Sequence, residues 1–491
     1  MGLSGIGNFR VFFGMRFSDH GRRVVVGAFD GGEITSDAGG LLLREVAHRL
    51  DLFGRMATCF DDRRNQEQVR HLLPDLLAQR IIGIALGYED VNDHDKLRHD
   101  PLLRMTASAK PGANTSAPLP ALAGSSTLGR LERSFEVSDR RYHKITAHPA
   151  RLQDLYVDLF TASYDTPPER IVLDIDATDI ETHGQQVGGF FHGYYEHRCF
   201  LPLYIYCGPH LLLSKLRHGN VDGAEGAKAA IKRVVGNIRR HWPKVEILVR
   251  GDSGFARTNL MNWCEANGVD YIFGLPRNDY LLHKARKVRS RAAVDFLATG
   301  KTAAVFGHFY HMTRSGTWKR PRHVIAKVLH LAGKEQRCRF LVTSLDWNAP
   351  AVIEAMRQVR EPLENQGGKA PKDLLARAIY DAIYCPRGDM ENRIKDCQLD
   401  LFGHRASAHA FKTNQTRLIL AGFAYVLMTQ LRLMALKTTD LAKAAPNTIR
   451  QKLLKIGARV IASVRRIKIS MPDACPVAEI FFTAWRCLAP P

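Results

Sequence analysis

Between residues 171 and 275 the chain alternates short apolar runs with one long amphipathic segment, and this rhythm restricts the fold more than any other feature. Ile171 to Leu173, Phe200 to Cys207, Leu211 to Leu216, Val245 to Val249 and Tyr271 to Leu275 have the length and composition of strands. Between the third and fourth, Gly223 to Trp242 sets Ala227, Ala230, Ile231, Val234, Val235 and Ile238 at helical spacing. Strand, strand, strand, helix, strand predicts an α/β core.

The flanks read differently. At 491 residues the chain exceeds one typical core. Residues 1–150 carry helical patterns, such as Leu41 to Leu50 and Leu72 to Leu86, and predict a mainly helical N-terminal domain. Ala107 to Ser126, with Lys110-Pro111-Gly112, has the composition of a surface loop. The core's first part is placed at 165–280, a β-rich, basic insertion at 281–345, the core's second part at 346–437 and a basic helical tail at 438–491. No internal repeat is visible.

Three acidic residues stand in separate patterns. In the first strand, alternation puts Val172, Asp174, Asp176 and Thr178 on one face. An aspartate in an apolar strand is costly unless it is paired, hydrogen-bonded or bound to metal, and on geometry alone either Asp174 or Asp176 could be a ligand. Asp252 lies in Arg250-Gly251-Asp252-Ser253-Gly254-Phe255, where a strand leaves into a glycine-bracketed turn; a ligand could approach closely there, or the carboxylate could cap the next helix. Glu391 follows Tyr384 and Arg387 into a helix that continues with Ile394, Lys395 and Gln398, a pattern also met in ordinary salt-bridged helices. Three carboxylates brought together would suit divalent cations and phosphoryl transfer.

Charge points the same way. Lys and Arg total 70 against 49 Asp and Glu, a net +21 that suits a polyanion such as nucleic acid. The 9 cysteines are scattered singly with no Cys-x-x-Cys pair, unlike a disulfide framework or zinc ribbon, which leads us to expect a reducing cytosol. No signal-peptide pattern is expected at the start. The longest apolar stretch, Leu418 to Met428, is about half a bilayer span and reads as a buried helix, so no membrane partner is expected.

Several blocks together carry a resemblance: Gly32 to Leu43 (GEITSDAGGLLL), Val91 to Pro101 (VNDHDKLRHDP), Gly193 to Cys207 (GYYEHRCFLPLYIYC), Arg250 to Arg257 (RGDSGFAR) and Met390 to Asp400 (MENRIKDCQLD). The chain resembles the DDE transposases of bacterial insertion sequences, specifically the insertion-sequence 1380 family. The resemblance implies a ribonuclease-H-like catalytic core, a mixed sheet flanked by helices, with the β-rich insertion between the second aspartate and the glutamate. It implies Asp176, Asp252 and Glu391 as catalytic metal ligands, with Asp176 preferred to Asp174 because Ala177-Thr178 follows it. The cofactor would be two Mg²⁺ ions, with Mn²⁺ able to substitute, and the substrates the terminal inverted repeats and target DNA, engaged as a homodimer in a cytoplasmic, nucleoid-associated setting. A Tyr-x2-Arg-x3-Glu-x6-Lys signature is matched at Tyr384, Arg387 and Glu391, while Gln398 stands at the lysine position and Lys395 lies one turn earlier. Arg250 joins these as a DNA-binding or supporting residue.

Other candidates have plainer readings. His192, His197, Cys199 and Cys207 match no zinc-finger spacing, and Glu89 to Asp95 reads as a solvated acidic loop. Tyr194-Tyr195 beside His197 and Arg198 could stack on a base or form a strand-edge pair. Arg450, Lys452, Lys455, Arg459, Arg465, Arg466 and Lys468 form a candidate phosphate-contacting face or a solvated helix.

Overall fold

The computed structural model describes residues 15–108, 120–135, 143–313, 316–365, 373–463 and 466–489. The chain divides into two compact units, one drawing on residues up to 57, 64–131 and 430 onward, the other on 58–63 and 132–429. Lys110-Pro111-Gly112 and Arg465 lie outside the described residues.

The larger unit is organised by one mixed sheet of 8 strands. In chain order they are β1 (Arg170–Ala177), β2 (Leu203–Cys207), β3 (His210–Lys215), β4 (Glu246–Gly251), β5 (Asp270–Leu275), β6 (Ala303–His311), β7 (Arg322–His330) and β8 (Arg337–Thr343). They lie in the order β3-β2-β1-β4-β5-β8-β7-β6. β4 runs parallel to both β1 and β5, and every other neighbouring pair is antiparallel. A small sheet of strands 180–181, 190–192 and 197–200 leaves β1, and Leu201-Pro202 separates it from β2.

Alternation along β1 sorts its residues onto two cores. Ile171, Leu173 and Ile175 face a cluster with Ile231, Val234 and Ile238 of α1 (Ala227–His241) and Leu260 and Cys264 of α2 (Thr258–Ala266). Each such fully buried aliphatic side chain is worth roughly 1.5–3 kcal/mol against exposure. The even-numbered face, through Val172 of β1 and Leu248 of the neighbouring β4, meets a second cluster with Phe306, Ile325, Leu341, Ala376 and Ile379. Asp174 and Asp176 belong to that second face.

Residues 281–345 differ from the β-rich reading in one respect. Two helices, α3 (Asp279–Lys284) and α4 (Arg286–Thr299), come first, and β6 to β8 then extend the central sheet. Val288 and Ala292 are the buried apolar residues of α4, too few for a clear helical stripe in sequence. Helix α5 (Pro350–Asn365) and the turns of 374–388 lead into α6 (Asp389–Lys395). Leu418 to Met428 lie inside α7 (Phe411–Ala435), the one described helix long and apolar enough to cross a bilayer, whose apolar window is 83% buried.

The smaller unit corrects part of the expectation of a helical tail: Ala478–Leu488 is a helix, but strands stand before it. After a short α-helix (Pro446–Ile449) and a π-helical turn (Arg450–Leu454), residues 458–462 and 467–470 are strands, and 458–462 pairs with Ile34–Thr35. The β-branched Val460, Ile461, Ile467 and Ile469 favour extended backbone, which outweighs the interleaved cations that suggested a basic helix. Ala38 and Gly39 donate backbone hydrogen bonds to the carbonyls of Ile456 and Leu454. Asp37, 3% exposed, is neutralised by Lys455 Nζ at 2.6 Å and accepts the Tyr88 hydroxyl at 2.6 Å. Arg450 is buried and donates to the Ala85 carbonyl. The block from Gly32 to Leu43 is thus an anchor for this unit, and part of the basic tail serves structure.

A Cβ at Gly39 would stand 2.2 Å from the Leu453 carbonyl oxygen. Gly39→Ala should therefore cost about 1–3 kcal/mol through overpacking, read as a lowered unfolding transition in a calorimetric scan.

Candidate active site

The parallel pairing of β1 and β4 sets the site. Arg250 stands opposite Asp174 in that register, so continuing by two residues brings Asp252 beside Asp176 at the C-terminal ends of adjacent strands. That edge is where open α/β sheets receive their ligands. Asp176, Asp252 and Glu391 line one cavity of about 670 Å³ together with Arg257, Arg387, Lys395 and Gln398.

Each acid is held by its own local structure. Asp176 Oδ1 accepts the Ala177 backbone N–H at 3.0 Å. Asp252 Oδ1 accepts the Gly254 N–H at 2.9 Å, capping a 3₁₀ turn over Ser253–Phe255 and not α2. Glu391 sits in the first turn of α6, its side chain 56% exposed. Arg387 links two of the three: its Nη1 donates to Asp176 Oδ2 at 3.0 Å and its Nη2 to Glu391 Oε1 at 3.2 Å.

Asp174 has a different setting. It is 1% exposed and accepts two hydrogen bonds from Arg250, from Nε at 2.7 Å and from Nη2 at 2.8 Å. Arg250 Nη1 also donates to the Ile383 carbonyl at 2.6 Å, in the π-helical turn Ile379–Tyr384 just before Arg387. Arg250 is therefore a buried tie between β1, β4 and the segment carrying Arg387 and Glu391, and it offers no surface to DNA. Tyr384 packs beside Tyr380 on the second core and does not line the cavity. Gln398 Nε2 donates to the Asp179 carbonyl at 3.3 Å, and Lys395 is exposed on α6.

Burial pushes the Asp176 carboxyl up to about 6, with Arg387 opposing and the nearby Asp252 charge adding to the rise. Burial likewise raises Asp174, against the pull of Arg250. Both acids stay in the folded core because a guanidinium faces each.

Three carboxylates on one cavity are hard oxygen donors of the kind Mg²⁺ takes, and the chemistry of the set fits that cation. In the arrangement observed, Arg387 supplies the countercharge. Among the described residues no three His, Cys, Asp or Glu stand at metal-ligand spacing. Cys199 and Cys207 are buried in strands and His197 Nε2 lies 2.8 Å from Asp179 Oδ2. Asp222, a cavity residue that no sequence pattern singled out, pairs with Nη2 of Arg257, the last residue of the block from Arg250, at 2.7 Å. Tyr194 and Tyr195 also line the cavity, their rings edge-on at 5.0 Å.

The family model described as transposase DDE domain group 1 matches residues 17–490, and the chain belongs to that family. No curated protein matches it in sequence. A solved structure, the cryo-EM piggyBac transposase synaptic complex with hairpin DNA, aligns over 86% of this chain and 86% of that chain at 12% identity and a TM-score of 0.33.

The ion pairs make two outcomes measurable. Removing one partner of the buried pair, in Arg250→Met or Asp174→Leu, should cost about 3–5 kcal/mol in chemical denaturation, while the double apolar replacement should recover much of that deficit. Asp176 carries a folded pKa of about 6 against an ordinary 3.8, so its protonated form is favoured by folding. The stability this gives is present below about pH 4 and lost as pH rises through about 6. Asp176→Asn in metal-free buffer should flatten the melting temperature across that window; an unchanged profile would contradict the assignment.

Proposed function

We propose that this transposase cuts and joins the ends of its own insertion sequence, with terminal inverted repeats and target DNA as substrates and a homodimer as the working form. The observation that carries the reading is the meeting of Asp176, Asp252 and Glu391 on one cavity. The order β3-β2-β1-β4-β5, antiparallel up to β1 and parallel from there, supports a ribonuclease-H-like core. The blocks from Gly32 to Leu43 and Arg250 to Arg257 support the insertion-sequence 1380 branch, and the net +21 supports DNA as partner.

In this reading Asp176, Asp252 and Glu391 would hold two Mg²⁺ ions, which would supply activation of an attacking oxygen and stabilisation of a leaving one. The chain's own groups do the positioning. Arg387 has the planar fork that matches a phosphate as well as a carboxylate, so it can exchange its hydrogen bonds to Asp176 and Glu391 for the scissile phosphate. Lys395 and Arg257 offer further positive charge at the cavity, and Gln398 holds the Asp179 loop. Arg250 fixes the depth of the Glu391 segment from below.

Asp252→Asn keeps the side-chain oxygen that caps the Ser253 turn while removing the charge. It should abolish Mg²⁺-dependent cleavage of labelled element ends and leave their binding intact. Retained cleavage would exclude the assignment, and cleavage without a strand-transfer product would favour a structure-specific nuclease.

A further inference from the structure

Within and just before the stretch that the sequence marks as basic, several cations face solvent without a carboxylate. From Arg277 to Lys301 there are 7 Lys and Arg against 2 Asp. Arg291 donates to the Phe306 carbonyl and Arg289 to Gln336, tying α4 to the sheet. Lys284, Arg286 and Lys287 are exposed, and among the described residues no carboxylate lies within ion-pair distance of them. Their neighbours are weak ones: the Tyr280 ring 5.7 Å from Lys284 Nζ, and His283 3.4 Å from Arg286.

Local electrostatics does not account for this placement. Arg286 and Lys287 open α4, whose first turn has no acid, so they stand at the positive end of the helix dipole where cations are disfavoured. The helix is held in place independently, by Val288 and Ala292 against Val305 and Val328, with Gly307 admitting the Val288 side chain. The three outward cations add nothing to that packing. They stand open to solvent, and a polyanion that bound there would offset their mutual repulsion.

We infer that Lys284, Arg286 and Lys287 form a second DNA-binding surface that grips the phosphate backbone of a duplex running away from the cavity. Resting on the DNA-processing reading above, this gives it a direction and a length. α4 lies on β6 and β7, at the far edge of the sheet from β1. Four to five strand spacings separate them, on the order of 20 Å. At about 3.4 Å per base pair, the grip falls roughly 6 base pairs from the reacting phosphate. The tail offers no comparable surface at Arg450 and Lys455, which are engaged with Ala85 and Asp37.

The experiment uses the full chain in EDTA with a 30-base-pair duplex of random sequence, followed by fluorescence anisotropy across a salt series. Lys284→Ala/Arg286→Ala/Lys287→Ala should lower the slope of log Kd against log salt by roughly 2–3, about 0.9 for each phosphate that the variant no longer neutralises. The control Lys228→Ala/Lys232→Ala, on exposed positions of α1, should leave the slope nearly unchanged. Lys287→Glu alone, checked by its melting curve, provides a second reading if the triple variant folds poorly, and should also weaken binding. An unaltered slope in the triple variant, or an equal drop in the control, overturns the inference. If the unmodified protein binds no duplex, the DNA-processing reading falls instead.

Discussion

The pairing of β1 with β4 is the constraint from which the rest of the site follows. Parallel strands in this register put Asp174 opposite Arg250, and the same register carries Asp176 and Asp252 to neighbouring positions two residues later. A slip of one residue would turn both aspartates into the apolar core that Leu173 and Ile175 occupy. The ion pair between Asp174 and Arg250 works against such a slip, since any other register would leave two buried charges without partners.

Arginines govern how this acidic cleft persists in a folded protein. Arg250 neutralises the inner aspartate and reaches the Ile383 carbonyl, so the strand pair and the segment bearing Glu391 are located by one side chain. Arg387 does the outer work, spanning Asp176 and Glu391. The mutual repulsion of the carboxylates is thus met by groups that also recognise phosphate. Neutralisation and substrate capture draw on the same chemistry.

Much of the larger unit was legible because strands buried on both faces appear as uninterrupted apolar runs, as in Val245 to Val249 and Tyr271 to Leu275, while α1 shows its stripe openly. The even-numbered face of β1 was legible too, since alternation alone puts Asp174 and Asp176 together. What separated them was not: Asp174 meets Arg250 from 76 positions away and Asp176 meets Arg387 from 211 positions away along the chain. α4 escaped notice because Val288 and Ala292 are its buried apolar anchors among many cations. The strands at 458–462 and 467–470 escaped notice because interleaved Arg and Lys masked a β-branched pattern. Arg387's bridge follows from tertiary placement that spacing along α6 cannot reveal.

The partnership of Ile34–Thr35 with residues 458–459 has an implication for biosynthesis. A ribosome releases the amino-terminal segment long before it makes the strand and the lysine that Thr35 and Asp37 require. The first unit begun is therefore the last that can close, and it waits with Asp37 uncompensated while the larger sheet assembles from contiguous sequence. A premature stop near codon 450 would spare every acid of the cleft and still leave the opening portion of the polypeptide without its closing strand.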